Sequence, residues 1–155
     1  MTNERPDPRP RRSFLFVPGT GPEMFPKALK AAPDIVCIDL EDAIAPRHKD
    51  VARDAMLKLL DGLDTDIPTE LLVRINCTRT RDGLADLLAI LESPNPPPGI
   101  MLPKVKHPSE LEALDDMLTA EGSPLRFQVI IETNEALEAC HDIAQASDRI
   151  DSLLF

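Results

Sequence analysis

Short apolar runs recur about every thirty residues along the chain, and segments with helical spacing separate them. The runs are rich in β-branched and other large apolar residues, which predicts β-strands. Several are apolar on both faces, as is typical of parallel strands that are covered on each side. The predicted strands are 14–17, 35–38, 71–75, 100–102, 127–131 and 150–155.

Between these runs, apolar residues recur three and four positions apart, which predicts amphipathic helices. One helix has a leucine stripe as its predicted buried face, formed by Leu84, Leu87, Leu88 and Leu91. Ser109 and Glu112 have the spacing of a capping box and predict a helix start. Helices are expected over 25–31, 49–60, 80–91, from 109 onward and over 134–146.

Strands and helices alternate throughout, and no linker of domain size interrupts them. A strand, a loop and a helix form the repeating unit of the TIM (β/α)8 barrel, which takes eight strands and about 250 residues. Because the chain stops in its sixth apolar run, two α/β architectures stay open. One is an open sheet, and the other is a TIM barrel of which only about the first six strands are here. Residues 1–11, charged and rich in proline, are predicted to form a flexible arm.

The net charge of −10 limits the classes of partner that the protein is expected to bind. An excess of Asp and Glu this large argues against nucleic acid and against an anionic membrane surface, and it favours a cation. No apolar run approaches the roughly twenty residues that cross a bilayer. The charged amino terminus does not have the pattern of a secretory signal.

The cysteines are odd in number and widely spaced, with no Cys-x-x-Cys pair. This usage predicts reduced thiols in a cytoplasmic protein. Cys37 lies in a predicted strand and Cys140 on an apolar helix stripe, so both are expected to be core residues.

Charged side chains follow the predicted strands, at the points where the strands end. In parallel α/β proteins, ligands bind at the carboxyl ends of the strands, so these side chains should converge on one mouth. The expected cluster contains Asp39, Glu41, Asp42, Arg74, Lys104 and Glu132.

Each of these residues also has a structural interpretation. Asp39 or Asp42 could cap the helix that follows, because Asp is a favoured N-cap residue. Glu132 could form a structural pair with Arg74 or with Lys104. The three histidines share no ligand spacing, and we assign them no role.

Five motifs in a fixed order identify a resemblance to a known family. They are RSFLFVPG at 12–19, DLED at 39–42, VRIN at 73–76, IMLPKV at 100–105 and IIET at 130–133. Over residues 11–155 the chain resembles the HpcH/HpaI aldolase and citrate lyase beta-subunit family. The resemblance implies a TIM-barrel enzyme that makes or breaks a carbon–carbon bond next to a coenzyme A thioester, as in citryl-, malyl- or citramalyl-CoA lyases.

The resemblance also implies roles for individual residues. Glu132 is expected to bind Mg²⁺ or Mn²⁺ and the substrate, and Arg74 is expected to contact the substrate and to act in catalysis. Asp39, Glu41 and Asp42 are expected around the metal, partly through water. Two basic residues, Arg12 and Lys27, are expected to meet coenzyme A phosphates. A homo-oligomer, a trimer or hexamer, is expected from the family.

Members of that family continue after a strand like 152–155 with a Gly-x-x-Asp segment, whose Asp is the second direct metal ligand. That segment is not in this sequence. Residues 12–155 are therefore expected to be the amino-terminal part of one barrel catalytic domain. Three functions stay open: an acyl-CoA lyase that releases acetyl-CoA and a 2-oxo acid, a thioesterase of the same family, and a catalytically silent subunit or scaffold.

Overall fold

A computed structural model describes residues 10–63 and 67–155. The described residues form one six-stranded sheet in which each strand pairs in parallel with the next along the chain. Every predicted strand is confirmed to within one residue at each end. The strands are β1 Phe14–Pro18, β2 Ile35–Asp39, β3 Glu70–Arg74, β4 Gly99–Leu102, β5 Arg126–Ile130 and β6 Ile150–Leu154.

The strand order distinguishes the two architectures that the sequence left open. A doubly wound open sheet reverses its strand order at a switch point. Here the order runs from β1 to β6 without reversal, as it does around a TIM barrel. The fold is therefore α/β, with the first six strands of a TIM-barrel-like sheet.

Helices connect the strands, as parallel pairing requires. Short 3₁₀ turns at Pro22–Met24 and Pro46–His48 precede the first two helices. The segment 134–146, predicted as one helix, is two helices, because Ala139 has φ −95° and ψ 12° and leaves the α-helical conformation. The helices are α1 Phe25–Lys30, α2 Lys49–Asp61, α3 Arg81–Glu92, α4 Pro108–Ala120, α5 Asn134–Glu138 and α6 Cys140–Gln145.

The predicted start of α4 was wrong by one residue, and so was its cap. The helix begins at Pro108, whose fixed φ and missing N–H suit the first helical position. The Glu110 carboxylate accepts the backbone N–H groups of Lys106 and His107, at 2.9 and 3.1 Å. The cap therefore involves Glu110 rather than the pair of Ser109 and Glu112.

The core lies on both faces of the sheet. The larger cluster packs the strands against the helices, through residues such as Ile38, Val73 and Phe127. The smaller cluster, on the opposite face, consists of Ile35, Cys37, Leu72 and Met101. Cys37 is fully buried, as expected, whereas Cys140 is half-buried at the margin of the larger cluster.

The predicted leucine stripe of α3 is right for Leu87, which is buried, and for Leu91, which packs against the core, but wrong for the other two leucines. Leu84 and Leu88 are 60% and 57% exposed, and the buried face carries Gly83, Asp86, Leu87 and Ile90. The helix lies close against the loop after β3, because a Cβ at position 83 would stand 2.1 Å from the carbonyl oxygen of Cys77. This close approach turns the leucines at 84 and 88 outward and places Asp86 inside.

Of the predicted flexible arm, residues 1–9 lie outside the described residues. Arg11 belongs to the folded domain, because its guanidinium donates two hydrogen bonds of 2.8 Å to Glu70 and one of 3.1 Å to Asp151. Among the described helices, none is both long and apolar enough to cross a membrane.

Candidate active site at the carboxyl ends of the strands

The structure brings the predicted charged residues together at the carboxyl ends of β2 to β5. We refer to this group as the carboxyl-end cluster. Hydrogen bonds and ion pairs link its members into one connected set. The cluster consists of Asp39, Glu41, Asp42, Arg74, Lys104 and Glu132.

Asp39 and Arg74 form the best-defined pair of the cluster. They end two adjacent strands in register, and the guanidinium donates to both carboxylate oxygens at 2.8 and 2.7 Å. Such a bidentate pair fixes the orientation of the guanidinium as well as its charge. The aromatic ring of Phe16 lies 4.8 Å from the Arg74 guanidinium carbon and holds it from a second side.

Asp39 does not cap a helix. Its carboxylate accepts the backbone N–H groups of Glu41 and Ala43, at 2.9 and 3.1 Å, within the loop that follows β2. Burial raises the Asp39 pKa, but the hydrogen bonds from Arg74 and from these two amides outweigh burial, so the pKa lies below its ordinary value. Asp39 is therefore ionised and orients both Arg74 and the loop of residues 40–43, which we call the acidic loop.

Glu41 is the unusual member of the cluster. Its side chain is only 6% exposed, and one carboxylate oxygen, Oε1, pairs with the Lys104 ammonium. The other oxygen, Oε2, is buried and forms an ion pair of 3.3 Å with Arg74 Nη1, but it accepts no hydrogen bond from the residues that the structure describes. A buried carboxylate oxygen that lacks a hydrogen bond retains capacity to accept one from a ligand or a water molecule.

Lys104 links the acids of the loop after β2 to Glu132, which follows β5. Its ammonium contacts Glu41 and lies 3.2 Å from the exposed Asp42 carboxylate, and its backbone N–H donates to Glu132 at 2.8 Å. Lys104 adopts φ 54°, a left-handed conformation that costs a residue with a Cβ about 1–2 kcal/mol. The turn at Lys104 thus aims its two donors at acids from different strands. Glu132 pairs with this backbone amide rather than with the Lys104 or Arg74 side chain.

Charge in the cluster does not balance. Four carboxylates face the two cations Arg74 and Lys104, which leaves an excess of two negative charges. Within residues 10–63 and 67–155, no three His, Cys, Asp or Glu residues are arranged as a metal site. The four carboxylates of the cluster pair with the Arg74 guanidinium, the Lys104 ammonium and the Lys104 backbone N–H. Their excess negative charge, together with Oε2 of Glu41, would suit a further cation.

The structure does not bring Arg12 to this cluster. Arg12 precedes β1, at the amino end of the strands, and its guanidinium donates to both oxygens of Asp34 at 3.1 and 3.0 Å. Lys27 is exposed on α1 and also lies outside the hydrogen-bonded cluster. Neither residue is part of the carboxyl-end cluster, and the contact of Arg12 and Lys27 with coenzyme A phosphates stays a prediction.

Sequence reasoning missed the buried polar residues behind the acidic loop. Lys49, Asn76 and Asp86 are all buried and hydrogen-bonded around the carbonyl of Leu40. The signal for Asp86 was a carboxylate among apolar residues of α3, but the leucine stripe placed the buried face of that helix incorrectly. Asn76 was noted only as the last residue of the VRIN motif, and Lys49 only as the start of a predicted helix.

Comparison with known proteins identifies relatives of the whole described domain. A family model described as HpcH/HpaI aldolase/citrate lyase matches residues 12–155. The L-malyl-CoA/beta-methylmalyl-CoA lyase of Cereibacter sphaeroides is 35% identical over 155 residues, which cover 96% of this chain and 48% of that protein. The chain thus spans about half the length of this relative.

Solved structures share the fold. The citrate lyase beta subunit of Mycobacterium tuberculosis, complexed with oxaloacetate and magnesium, has a TM-score of 0.73 and 31% identity over 92% of this chain and 58% of its own. A structure of protein CitE from the same organism with magnesium, acetoacetate and coenzyme A has a TM-score of 0.73 and 31% identity, and the match covers 93% of this chain and 49% of that one.

Proposed function

The chain belongs to the HpcH/HpaI aldolase/citrate lyase family, and from this premise we propose that it is part of a magnesium-dependent carbon–carbon lyase. Its substrate is a 3-hydroxyacyl-CoA thioester of the malyl-CoA class, and its products are acetyl-CoA and a 2-oxo acid. The observation that carries this proposal is the oriented Arg74 beside a cluster with excess negative charge. The 35% identity to a malyl-CoA lyase supports the substrate class.

Arg74 binds the negatively charged part of the substrate. Asp39 accepts hydrogen bonds from its Nε and Nη2 atoms, and Nη1 lies 3.3 Å from Glu41 Oε2 without a well-aligned hydrogen bond, so a substrate oxygen would compete with Glu41 for the N–H groups of Nη1. Cleavage leaves negative charge on the thioester oxygen and a carboxylate on the oxo acid. A guanidinium held in place before the reaction stabilises either charge without reorganising during the reaction.

The acidic residues fit a divalent cation. Mg²⁺ prefers oxygen ligands and keeps several waters, so it needs few carboxylates. Glu132 would hold it directly, and Glu41 and Asp42 would contact it through water; the orphan Oε2 of Glu41 supports this assignment. When bound, the metal would polarise the hydroxyl and carboxylate oxygens of the substrate. The magnesium in the related citrate lyase beta subunit also supports it.

Oligomeric state and location are part of the same proposal. We place the enzyme in the cytoplasm, which the three free cysteines support. A homo-oligomer is supported by apolar side chains on the outer surface, where Val51, Leu84 and Leu88 are 57–60% exposed. Size-exclusion chromatography with light scattering measures the oligomeric state directly.

Product analysis tests the reaction class. The full-length protein that carries this sequence is incubated with Mg²⁺ and, separately, with malyl-, citramalyl- and citryl-CoA. A lyase forms acetyl-CoA and the matching 2-oxo acid in equal amounts. Formation of free coenzyme A and the hydroxy acid would instead identify a thioesterase, and no turnover of any substrate would favour a silent subunit.

A further inference from the structure

Behind the acidic loop lies a buried polar network that does not touch the carboxyl-end cluster through side chains. We refer to Lys49, Asn76 and Asp86 as the loop clamp. Lys49 opens α2, Asn76 follows β3 and Asp86 lies on the buried face of α3. All three are at least 90% buried. Polar groups this deeply buried are costly unless their hydrogen bonds are satisfied, so their partners show what they hold.

Lys49 holds the backbone of the acidic loop. Its ammonium donates to the carbonyl oxygens of Leu40 and Glu41, at 2.8 and 2.6 Å. These carbonyls belong to the two peptide bonds of Glu41, one with Leu40 and one with Asp42. A buried ammonium bound to main-chain carbonyls fixes backbone position directly.

Asn76 and Asp86 hold the same loop from the other side. The Asn76 amide nitrogen donates to the Leu40 carbonyl at 3.0 Å and to the Asp86 carboxylate at 2.6 Å. Asp86 is fully buried and also accepts the Asn76 backbone N–H at 2.8 Å and the Arg53 guanidinium at 2.7 Å. Asp86 thereby fixes the amide of Asn76 in the orientation that bonds to the loop.

The result is a fully engaged backbone at Glu41. The Leu40 carbonyl receives donors from Lys49 and Asn76, and the Glu41 carbonyl receives Lys49 and the Ile44 N–H at 3.0 Å. The Glu41 N–H donates to Asp39 at 2.9 Å. This fixed backbone carries the buried Glu41 carboxylate, whose Oε2 accepts no hydrogen bond from the described residues. Without the backbone hydrogen bonds, the loop would move and expose this carboxylate to water.

We propose that Lys49 and Asp86 are positioning residues for Glu41. They act through the backbone, keeping the Glu41 carboxylate buried at the mouth between Lys104 and Arg74, where the proposed function has it contact the divalent cation through water; the role rests on that proposed function. Outer partners of this kind typically change metal affinity by 10- to 100-fold when they are removed. A purely structural network would change stability and leave metal affinity as it is.

The test compares Lys49→Met with Lys58→Met in the full-length protein. Both variants remove an ammonium from α2 and keep the side-chain stem, but Lys58 is exposed. Mn²⁺ is the probe, titrated by calorimetry and by electron paramagnetic resonance. We expect the Mn²⁺ Kd of K49M to rise about 10- to 100-fold, with the K58M value within twofold of wild type.

A second variant covers the case in which K49M does not fold. Asp86→Asn keeps the size of the side chain and removes its charge, with exposed Asp116→Asn on α4 as its control. We expect the same rise in Mn²⁺ Kd for D86N alone. A lower melting temperature of either clamp variant with wild-type Mn²⁺ affinity would overturn the positioning role and leave a structural one.

Amide hydrogen exchange separates this inference from the proposed function. If the wild-type protein binds no Mn²⁺, the proposed metal dependence fails, and the clamp is then judged by exchange at Glu41 and Ala43. Their N–H groups both donate to Asp39, so a working clamp should protect them. Exchange at least tenfold faster in K49M than in K58M supports the clamp, and equal rates overturn it.

Discussion

Both ends of the strands carry clusters of charge, but the two clusters differ in balance. At the amino end, Arg11 bonds to Glu70 and Asp151, and Arg126 bonds to Asp151 at 3.0 Å. This amino-end cluster has two cations and two carboxylates, and none of its side-chain atoms is buried without a hydrogen bond. The carboxyl-end cluster, with one arginine and one lysine as its cations, has an excess of two carboxylates.

The comparison separates structural charge from functional charge. Balanced and satisfied ion pairs need nothing further, so the amino end is complete in itself. The carboxyl end retains negative charge, an orphan oxygen on Glu41 and a left-handed backbone at Lys104. Strain and unsatisfied groups persist where a ligand or a reaction supplies what is missing. Four predictions test this contrast, and the expected effects decrease from the first to the last.

The largest effect is expected for Arg74→Lys. Lysine keeps the charge but cannot reproduce the bidentate bond to Asp39, so the proposed substrate-binding group loses its orientation. We expect kcat/KM for malyl-CoA to fall roughly 100-fold, about 2.7 kcal/mol, with little loss of stability. The matched control is Arg11→Lys at the amino end, which breaks a bidentate bond to Glu70. Equal activities of the two variants would contradict the contrast.

The next effect concerns stability at the amino end. Arg126→Met leaves Asp151 with Arg11 as its only remaining cation among the four residues of that cluster. Because these groups are 12–17% exposed, we expect a loss of about 2 kcal/mol in the free energy of unfolding, below the ~3–5 kcal/mol of fully buried pairs. Urea denaturation measures it. A tenfold fall in kcat of the folded variant would show that this end also serves the reaction.

A smaller effect is expected when Lys104 loses its charge. Lys104→Met raises the excess of the carboxyl-end cluster from two to three negative charges, because its ammonium contacts Glu41 and Asp42. We expect about 1 kcal/mol of destabilisation in the presence of a chelator, recovered in excess Mg²⁺. Lys106→Met, which removes an exposed pair with Glu135, is the control. A loss that is the same with and without Mg²⁺ would argue against a cation site.

The smallest effect is the pH dependence of the Asp39 and Arg74 pair. The Asp39 pKa is lower in the folded protein than in the unfolded one, so the unfolded state binds a proton first as the pH falls. The stabilisation is therefore complete above the ordinary Asp pKa of about 4 and is lost as the pH falls through the folded value. Unfolding measured from neutral to acid pH should show a shallower acid limb for Asp39→Asn. An unchanged acid limb would show that the pair does not lower this pKa.

Much of the fold could be predicted from the sequence, because the strand runs are apolar on both faces and leave little choice of structure. The clustering of Asp39, Arg74 and Lys104 followed from the rule for the carboxyl ends of parallel strands. Helix faces were harder. Leu84 faces outward because Gly83 lies close against the backbone of Cys77. This contact joins two separate segments, so the helical spacing of apolar residues cannot predict it.

The loop clamp could not be predicted for a related reason. Asp86 and Lys49 look like ordinary surface charges in sequence, and only the packing of α2 and α3 against the loops shows that they are buried. Short-range patterns thus located the acids of the site, and tertiary packing determined which residues support them.

The position of a bound Mn²⁺ ion tests the central contrast most directly. Crystals of the full-length protein are grown with Mn²⁺, and anomalous scattering locates the ion without reference to activity. We expect one strong peak at the carboxyl end, coordinated by Glu132 and within water-mediated reach of Glu41 Oε2, and none at the amino-end cluster. An ion bound among Arg11, Glu70 and Asp151, or no ion at the carboxyl end at saturating Mn²⁺, would contradict the assignment of the site.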